Sequence, residues 1–204
     1  MPTGGALVRE EARARLLLTF LHHEVQAAEL MAWAVLRFPE APRRFRVGLL
    51  GVLDDEVRHA RAYAERAAEL GVRYGERPVR DWFWQRVPSC STPVSFVSLM
   101  GMGFEGGNLE HTRRFSGELR AAGDEASARL VEEVGDEEVR HVRFATRWFA
   151  RWTQDDPDAE PEFRRWVSEL PAPLTPTVLR GRPLDRERRV RAGQRGEFLE
   201  DLDR

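Results

Sequence analysis

Two segments of the sequence are nearly identical and contain residues of the kind that bind metals. The segment that ends at His59 reads Asp-Asp-Glu-Val-Arg-His, and the segment that ends at His141 reads Asp-Glu-Glu-Val-Arg-His. In each segment a glutamate precedes the histidine by three positions, Glu56 in the first and Glu138 in the second. Residues three apart share one face of a helix, so each pair could bind one metal ion through a carboxylate oxygen and an imidazole nitrogen.

Both pairs fall within apolar helical stripes. The stripe around Glu56 consists mainly of Leu, Val, Ala and Tyr, and the stripe around Glu138 consists mainly of Leu, Val, Ala, Phe and Trp. A single Glu-x-x-His pair is usually a solvated surface pair, whereas an uncompensated carboxylate on an apolar face costs on the order of several kcal/mol. Because both matches lie on apolar stripes, the pattern favours metal binding over a purely structural role.

Apolar periodicity predicts four long helices that would position these pairs, at about residues 8–38, 43–70, 93–122 and 125–152. Short turns would join the first helix to the second and the third to the fourth, whereas a long segment at about residues 71–92 links the second to the third. Two helical hairpins joined by one long crossover are typical of ferritin-like four-helix bundles. We therefore predict an all-α fold, with residues 1–152 as the bundle and residues 153–204 as a short helical C-terminal extension that packs on or near it.

In such a bundle each Glu-x-x-His helix is partnered by a helix that provides one further glutamate. Glu24 and Glu105 lie on the inward stripes of the first and third predicted helices, 81 positions apart. The spacing between Glu56 and Glu138 is 82, as expected of a duplicated hairpin. Four carboxylates balance the charge of two divalent cations, and an oxygen-rich set with two imidazoles suits iron or manganese. The predicted ligands are Glu24, Glu56, His59, Glu105, Glu138 and His141.

Two nearby glutamates are alternative candidates for the ligands on the first and third predicted helices. Glu29 follows Glu24 by five positions, and Glu110 follows Glu105 by the same interval. Five residues rotate a helical side chain by about 140°, so only one glutamate of each pair can lie on the main stripe. We assign Glu24 and Glu105 as ligands, and we leave open whether Glu29 and Glu110 are ligands, support the ligands or face the substrate.

Other charged residues near the motifs have simpler interpretations. Arg58 and Arg140 each precede a proposed ligand histidine, and we expect them to form ordinary ion pairs with the acidic residues three positions before them. The remaining histidines are expected on the surface or beside the ligands: His22, His23 and His111.

The sequence has three further features: glycines around Glu105, an aromatic run and an arginine-rich stretch. The glycines around Glu105 indicate close helix packing, a helix distortion, or space for a ligand beside the metals. The run Trp82-Phe83-Trp84 is expected to form a small core beneath the crossover. The arginine-rich stretch at residues 180–195 is expected to be solvated surface. The glycines are Gly101, Gly103, Gly106 and Gly107.

Composition excludes several classes of protein. The formal net charge of -2 gives no general attraction to nucleic acid or to anionic membranes. The single cysteine, Cys90, excludes an intrachain disulfide and a cysteine-ligated iron–sulfur cluster within one chain. No apolar run approaches the roughly 18 residues of a membrane span, and the first residues do not resemble a secretory signal, so we expect a cytoplasmic protein.

These motifs resemble those of known families. Residues 55–59 and 137–141 resemble the acidic-Glu-x-Arg-His signature of diiron hydroxylases and monooxygenases. Residues 23–30, 104–110 and 180–184 resemble an uncharacterised family of bacterial ferritin-like proteins, and this likeness extends from about Leu16 to Leu202. The resemblance implies the ferritin-like fold and the six metal ligands, but it implies no substrate. A more distant similarity to tRNA-modifying diiron hydroxylases implies a reaction type only.

The leading hypothesis is an enzyme, a dinuclear metal oxidoreductase in which two ferrous ions reduce dioxygen and an unidentified small organic substrate is hydroxylated or otherwise oxidised. Because the chain has no cysteine-based redox cofactor, a separate reductase or a reducing substrate would supply electrons. The alternatives are ferroxidation and iron handling, manganese-dependent breakdown of peroxide, a mixed manganese and iron centre, and a metal-free helical scaffold. The oligomeric state stays open, with a homodimer among the candidates.

Overall fold

Two long helices form the first hairpin of the chain. The computed structural model describes residues 2–75, 78–154 and 161–204. Helix α1 spans Glu10–Arg37 and helix α2 spans Arg43–Glu69. Prolines in the turn interrupt the helical pattern, and Pro42 lies at the N-cap of α2. The ring of Phe20 packs 5.6 Å from that of Tyr63, and Glu24, further along α1, lies beside His59, which comes earlier in α2, so the two helices are antiparallel.

A second long helical run begins after Thr92. It consists of helix α3 (Pro93–Phe96), a π-helical segment (Val97–Glu105) and helix α4 (Gly106–Ala121). The Thr92 side chain and Ser95 form a reciprocal capping box, and Pro93 occupies the first turn, where its missing N–H costs nothing. The helix predicted for residues 93–122 is confirmed, and its first third contains the distortion that the glycines indicated.

Helix α5 spans Glu125–Thr153 and begins at a tight turn. Gly123 adopts a φ of +83°, which glycine tolerates best, and the Asp124 carboxylate accepts a hydrogen bond of 3.0 Å from the Ser127 N–H. Arg66 of α2 and Arg13 of α1 bind the same carboxylate at 2.8 and 3.0 Å. Burial alone would raise the pKa of Asp124. The hydrogen bonds from Ser127 and the positive charge of Arg66 outweigh burial, so the pKa of Asp124 is lower than its ordinary value.

The C-terminal residues form four short helices in the part of the chain that the structure describes. They are α6 (Phe163–Ser168), α7 (Pro176–Leu179), α8 (Arg186–Arg191) and α9 (Glu197–Asp203). Short 3₁₀ turns occur at Gly4–Val8 and Val87–Ser89. Residues 2–75, 78–154 and 161–204 contain no β-strand, so the all-α prediction is confirmed for them. No described helix combines the length and apolar character that a bilayer span requires.

The chain divides into two compact units. The first unit comprises Met1–Gln85 and Arg114–Val134, and the second comprises Arg86–Arg113 and Gly135–Arg204. The first unit has an apolar core that includes Leu16, Leu17, Phe20, Tyr63, Phe115, Leu119 and Val131. The second unit has a smaller apolar cluster formed by Leu109, Val139, Val142 and Ala192. The expected division of the chain near residue 152 stays a prediction.

The glycines of the π segment and of the start of α4 are sites where other parts of the second unit approach closely. Gly101 faces Ala145 of α5, and Gly106 faces the guanidinium of Arg189. A Cβ added to Gly107 would lie 2.7 Å from the carbonyl oxygen of Leu179. The space beside these backbone atoms is therefore filled by protein, so close packing and helix distortion account for the glycines.

Replacing each of two glycines of α4 by alanine should have opposite effects on the free energy of unfolding. Gly107→Ala would force a Cβ against the Leu179 backbone, and we expect it to lower the free energy of unfolding by about 1–3 kcal/mol. Gly117→Ala is the matched control because a Cβ there meets no atom within 4 Å, and it should raise stability by about 0.5–1 kcal/mol. Urea denaturation of both variants measures the difference, and equal effects of the two changes would contradict the close contact.

Candidate metal centre

The first unit brings together three of the six predicted ligands. Glu24 extends from α1, and Glu56 and His59 extend from α2 one helical turn apart. The Nδ1 atom of His59 lies 3.6 Å from Glu24 Oε2 and 3.7 Å from Glu56 Oε2. These three residues are at most 3% exposed, and each has a ligand atom within 4.8 Å of those of the other two. They form a buried cluster of donors that could hold one metal ion.

The second unit contains the other three predicted ligands. Glu138 and His141 lie one turn apart on α5, with His141 Nδ1 2.8 Å from Glu138 Oε2. Glu138 is fully buried and His141 nearly so. Glu105 is the last residue of the π segment and is 5% exposed. The second Glu-x-x-His pair therefore repeats the burial and the local spacing of the first.

Burial of their carboxylates is the main electrostatic feature of the predicted ligands in both units. Moving an ionised carboxylate out of water costs several kcal/mol even after relaxation, unless a cation compensates it. Carboxylate oxygens with imidazole nitrogens are a donor set that divalent iron and manganese accept. Glu24, Glu56, His59 and Glu138 are thus buried groups that could bind a metal ion, and their chemistry fits the metals expected from the sequence without selecting between them.

Glu29 has a different environment from Glu24. Its side chain is exposed, and its Oε2 accepts a hydrogen bond of 2.7 Å from the indole N–H of Trp84. Burial therefore favours Glu24 as the ligand of α1, in line with the assignment from the stripe. The role of Glu29 in the structure is to hold the segment that follows α2.

Glu110 is buried but is bound by residues of the chain itself. Arg189 donates to both carboxylate oxygens at 2.7 Å, from Nε to Oε1 and from Nη2 to Oε2. The backbone N–H groups of Gly181 and Asp185 donate to the same carboxylate at 3.2 and 3.1 Å. Because a guanidinium already balances its charge, Glu110 anchors the C-terminal residues to α4.

The expectation that the arginine-rich stretch is solvated surface was wrong for its central residues. Arg189 is only 1% exposed, and Arg188 and Asp185 are also buried. Arg188 donates to the carbonyl oxygen of Leu109 and to the Thr112 hydroxyl, both at 3.2 Å. Local spacing gave no signal for these bonds, since their partners lie more than 70 positions earlier in the chain.

The ion pairs predicted beside the ligand histidines are confirmed. Arg58 binds Asp55 at 2.7 Å, and Arg140 binds Glu137 at 3.2 Å. All four residues lie at least partly in solvent, so each pair contributes little to stability. In both motifs the arginine therefore lies on the solvent-exposed face of its helix and pairs with an acidic residue there.

The histidines outside the motifs contact other parts of the chain: His22 and His23 contact the segment that follows α2, and His111 lies beside Gly181. His22 is buried, its Nε2–H donates to the Arg80 carbonyl oxygen at 3.1 Å, and its Nδ1 accepts from the Tyr74 hydroxyl at 2.7 Å. His23 stacks on Phe83 with ring centroids 5.0 Å apart. The sequence did not predict that His22 binds the crossover, because its partners Tyr74 and Arg80 lie in this irregular segment.

Breaking the Glu110–Arg189 pair should destabilise the protein. In Glu110→Gln the buried guanidinium of Arg189 keeps its charge but loses the carboxylate, so we expect a loss of about 3 kcal/mol in the free energy of unfolding. The control is Glu187→Gln in α8, whose exposed carboxylate makes no ion pair with a described residue and whose replacement should leave stability unchanged. A midpoint of urea unfolding in Glu110→Gln equal to that of the unchanged protein would contradict the anchoring role.

Comparison with known proteins identifies a family. A family model described as a protein of unknown function (DUF455) matches residues 1–200. Comparisons with curated proteins and with solved structures gave no match. Because the match spans nearly the whole sequence, the chain belongs to the DUF455 family of proteins of unknown function.

Proposed function

We propose that the protein is a ferritin-like four-helix bundle with a dinuclear metal centre. The four bundle helices would be α1, α2, the continuous run α3–α4, and α5. The element order supports this proposal, because two hairpins with short turns are joined by a long segment between Glu69 and Pro93. Each hairpin also carries one Glu-x-x-His pair and at least one further buried glutamate, Glu24 in the first hairpin and Glu105 in the second.

The proposed ligands fall into two matching sets. Glu24, Glu56 and His59 would hold one ion, and the second set of Glu105, Glu138 and His141 would hold the other. Four carboxylates carry the charge that two divalent cations balance. Iron is the expected metal, with manganese or a mixed centre as the alternatives that the same donors permit.

We propose that this centre makes the protein an oxidoreductase that uses dioxygen to hydroxylate or otherwise oxidise a small organic substrate. The observation that carries the proposal is the buried cluster of Glu24, Glu56 and His59, together with the repeat of its Glu-x-x-His pair on α5. Iron held there would supply two electrons to dioxygen, and oxidation of the substrate would supply the other two that reduction of both oxygen atoms requires. The four glutamates would hold these ions in place, and the apolar surroundings would limit the access of water.

Electrons for repeated turnover would come from another molecule. Burial raises the pKa of Cys90, the single cysteine, to about 11, so its thiol stays protonated at neutral pH and is a weak nucleophile. A separate reductase or a reducing substrate is therefore the expected partner. Iron handling and manganese-dependent peroxide breakdown use similar donors, and they are the competing outcomes of the experiments below.

Metal content tests the ligand sets directly. Protein purified without added chelator should contain two metal ions per chain by elemental analysis. Glu56→Gln removes one carboxylate charge from the first set, and Glu138→Gln does so in the second, so each variant should lose about one ion or more. Glu29→Gln is the matched control because Glu29 lies exposed on α1, and it should keep both ions. A full metal content in Glu56→Gln would contradict the assignment.

Reaction with dioxygen tests the chemistry. Protein loaded anaerobically with two ferrous ions per chain and mixed with oxygenated buffer should show rapid iron oxidation in stopped-flow absorbance, and Glu56→Gln should slow it at least tenfold. Oxidation that ends in ferric mineral inside a large assembly would support iron handling instead. Oxygen release from peroxide by the manganese-loaded protein would support peroxide breakdown. No faster oxidation than that of free ferrous ion would contradict a redox centre.

A further inference from the structure

The first unit contains a cleft that the proposed metal centre does not use. It lies between the outer face of α1 and the segment that follows α2, and its volume is about 820 Å³. This size falls within the range of small-molecule sites. Residues that define its chemistry are Arg15, Thr19, His22, Tyr74, Arg80 and Trp82.

The cleft lies away from the metal ligand of α1. Arg15, Thr19 and His22 are nine, five and two positions before Glu24. At about 100° per residue, these side chains leave the helix axis roughly 140–180° from Glu24. A molecule in the cleft would therefore meet the opposite side of α1 from the metal ligands.

The charged side chains among the described residues that line the cleft are arginines. Arg15 and Arg80 line it, and neither forms an ion pair with any residue that the structure describes. None of the described residues that line the cleft is acidic. Two guanidinium groups that line one cleft favour the binding of an anion, because each can donate a pair of hydrogen bonds to a carboxylate or phosphate.

The wall opposite α1 is held in place before any ligand arrives. The Arg80 carbonyl oxygen accepts hydrogen bonds from His22 at 3.1 Å and from Gln26 at 3.4 Å, and Tyr74 donates to His22 at 2.7 Å. Beyond the cleft, the Phe83 N–H donates to Gln26. The wall is thus fixed by side chains spaced along one stripe of α1, which reduces the entropy lost on binding.

The hydroxyl of Tyr74 stays a donor in this arrangement. Partial burial, followed by the negative charges of Glu29 and Asp81, raises the pKa of Tyr74 above its ordinary value. The Tyr74 hydroxyl therefore keeps its proton at neutral pH and can donate it in the contact with His22.

The remaining walls are apolar or aromatic. Trp82 and Tyr74 provide rings, and Val79, Pro78 and Leu18 provide aliphatic surface. A flat apolar group, such as the ring of an aromatic ligand, packs favourably against these side-chain rings. We propose that this cleft is a second binding site for a small aromatic anion, with the anionic group at Arg15 and Arg80 and the ring against Trp82 and Tyr74. This site is independent of the metal centre and of its proposed reaction.

Titration calorimetry with defined probes tests the site. Phenyl phosphate and benzoate carry both required features, inorganic phosphate carries only the charge, and phenol carries only the ring. We expect saturable binding of at least one aromatic anion at millimolar concentration, with inorganic phosphate and phenol each at least about tenfold weaker. Failure of both aromatic anions to bind, or equal binding of inorganic phosphate, would overturn the proposal.

Variants locate the binding site. The double variant Arg15→Ala and Arg80→Ala should weaken binding of the aromatic anion at least about tenfold, because charge-assisted hydrogen bonds are lost. Arg61→Ala on α2 is the matched control, since Arg61 is also exposed and makes no ion pair with a described residue. Val79→Glu keeps both arginines and introduces a negative charge, so it should weaken binding as well. Unchanged affinity in both cleft variants would overturn the assignment of the site.

Discussion

The burial of glutamate carboxylates is the physical constraint on which the rest of this structure depends. An ionised carboxylate in an apolar interior costs several kcal/mol unless a cation lies beside it. For Glu110 that cation belongs to the chain itself, because Arg189 reaches it from the C-terminal residues. For Glu24 and Glu56 the neighbouring His59 balances a carboxylate only when protonated, and a divalent metal ion would meet the same requirement. A guanidinium of the chain thus balances Glu110, whereas a bound metal ion could balance Glu24 and Glu56.

Two faces of helix α1 contact different parts of the first unit. Its inner face presents Glu24 to His59, whereas its outer stripe of His22, Gln26 and Glu29 holds the segment that follows α2. The segment has no regular secondary structure over residues 78–80, so these side chains provide the order that a helix or strand would otherwise supply. As a result, the same helix that carries a proposed metal ligand also forms one wall of the cleft lined by Arg15 and Arg80.

The parts of the structure that depend on local spacing were predictable from the sequence. Apolar periodicity placed the ends of the four long helices within two residues, and the three-residue spacing identified the ion pairs of Arg58 and Arg140. The glycines around Glu105 permitted three explanations, and only the structure shows that backbone and side chains fill the adjacent space. The Glu110–Arg189 pair was not predictable, because the two residues are 79 positions apart and no local pattern relates them.

Anomalous diffraction from crystals of the iron-loaded protein, measured at the iron absorption edge, would locate the bound metal ions. We expect two anomalous peaks per chain, one beside Glu24, Glu56 and His59 and one beside Glu105, Glu138 and His141. A crystal of metal-loaded protein with no anomalous peak beside either set of residues would contradict this expectation.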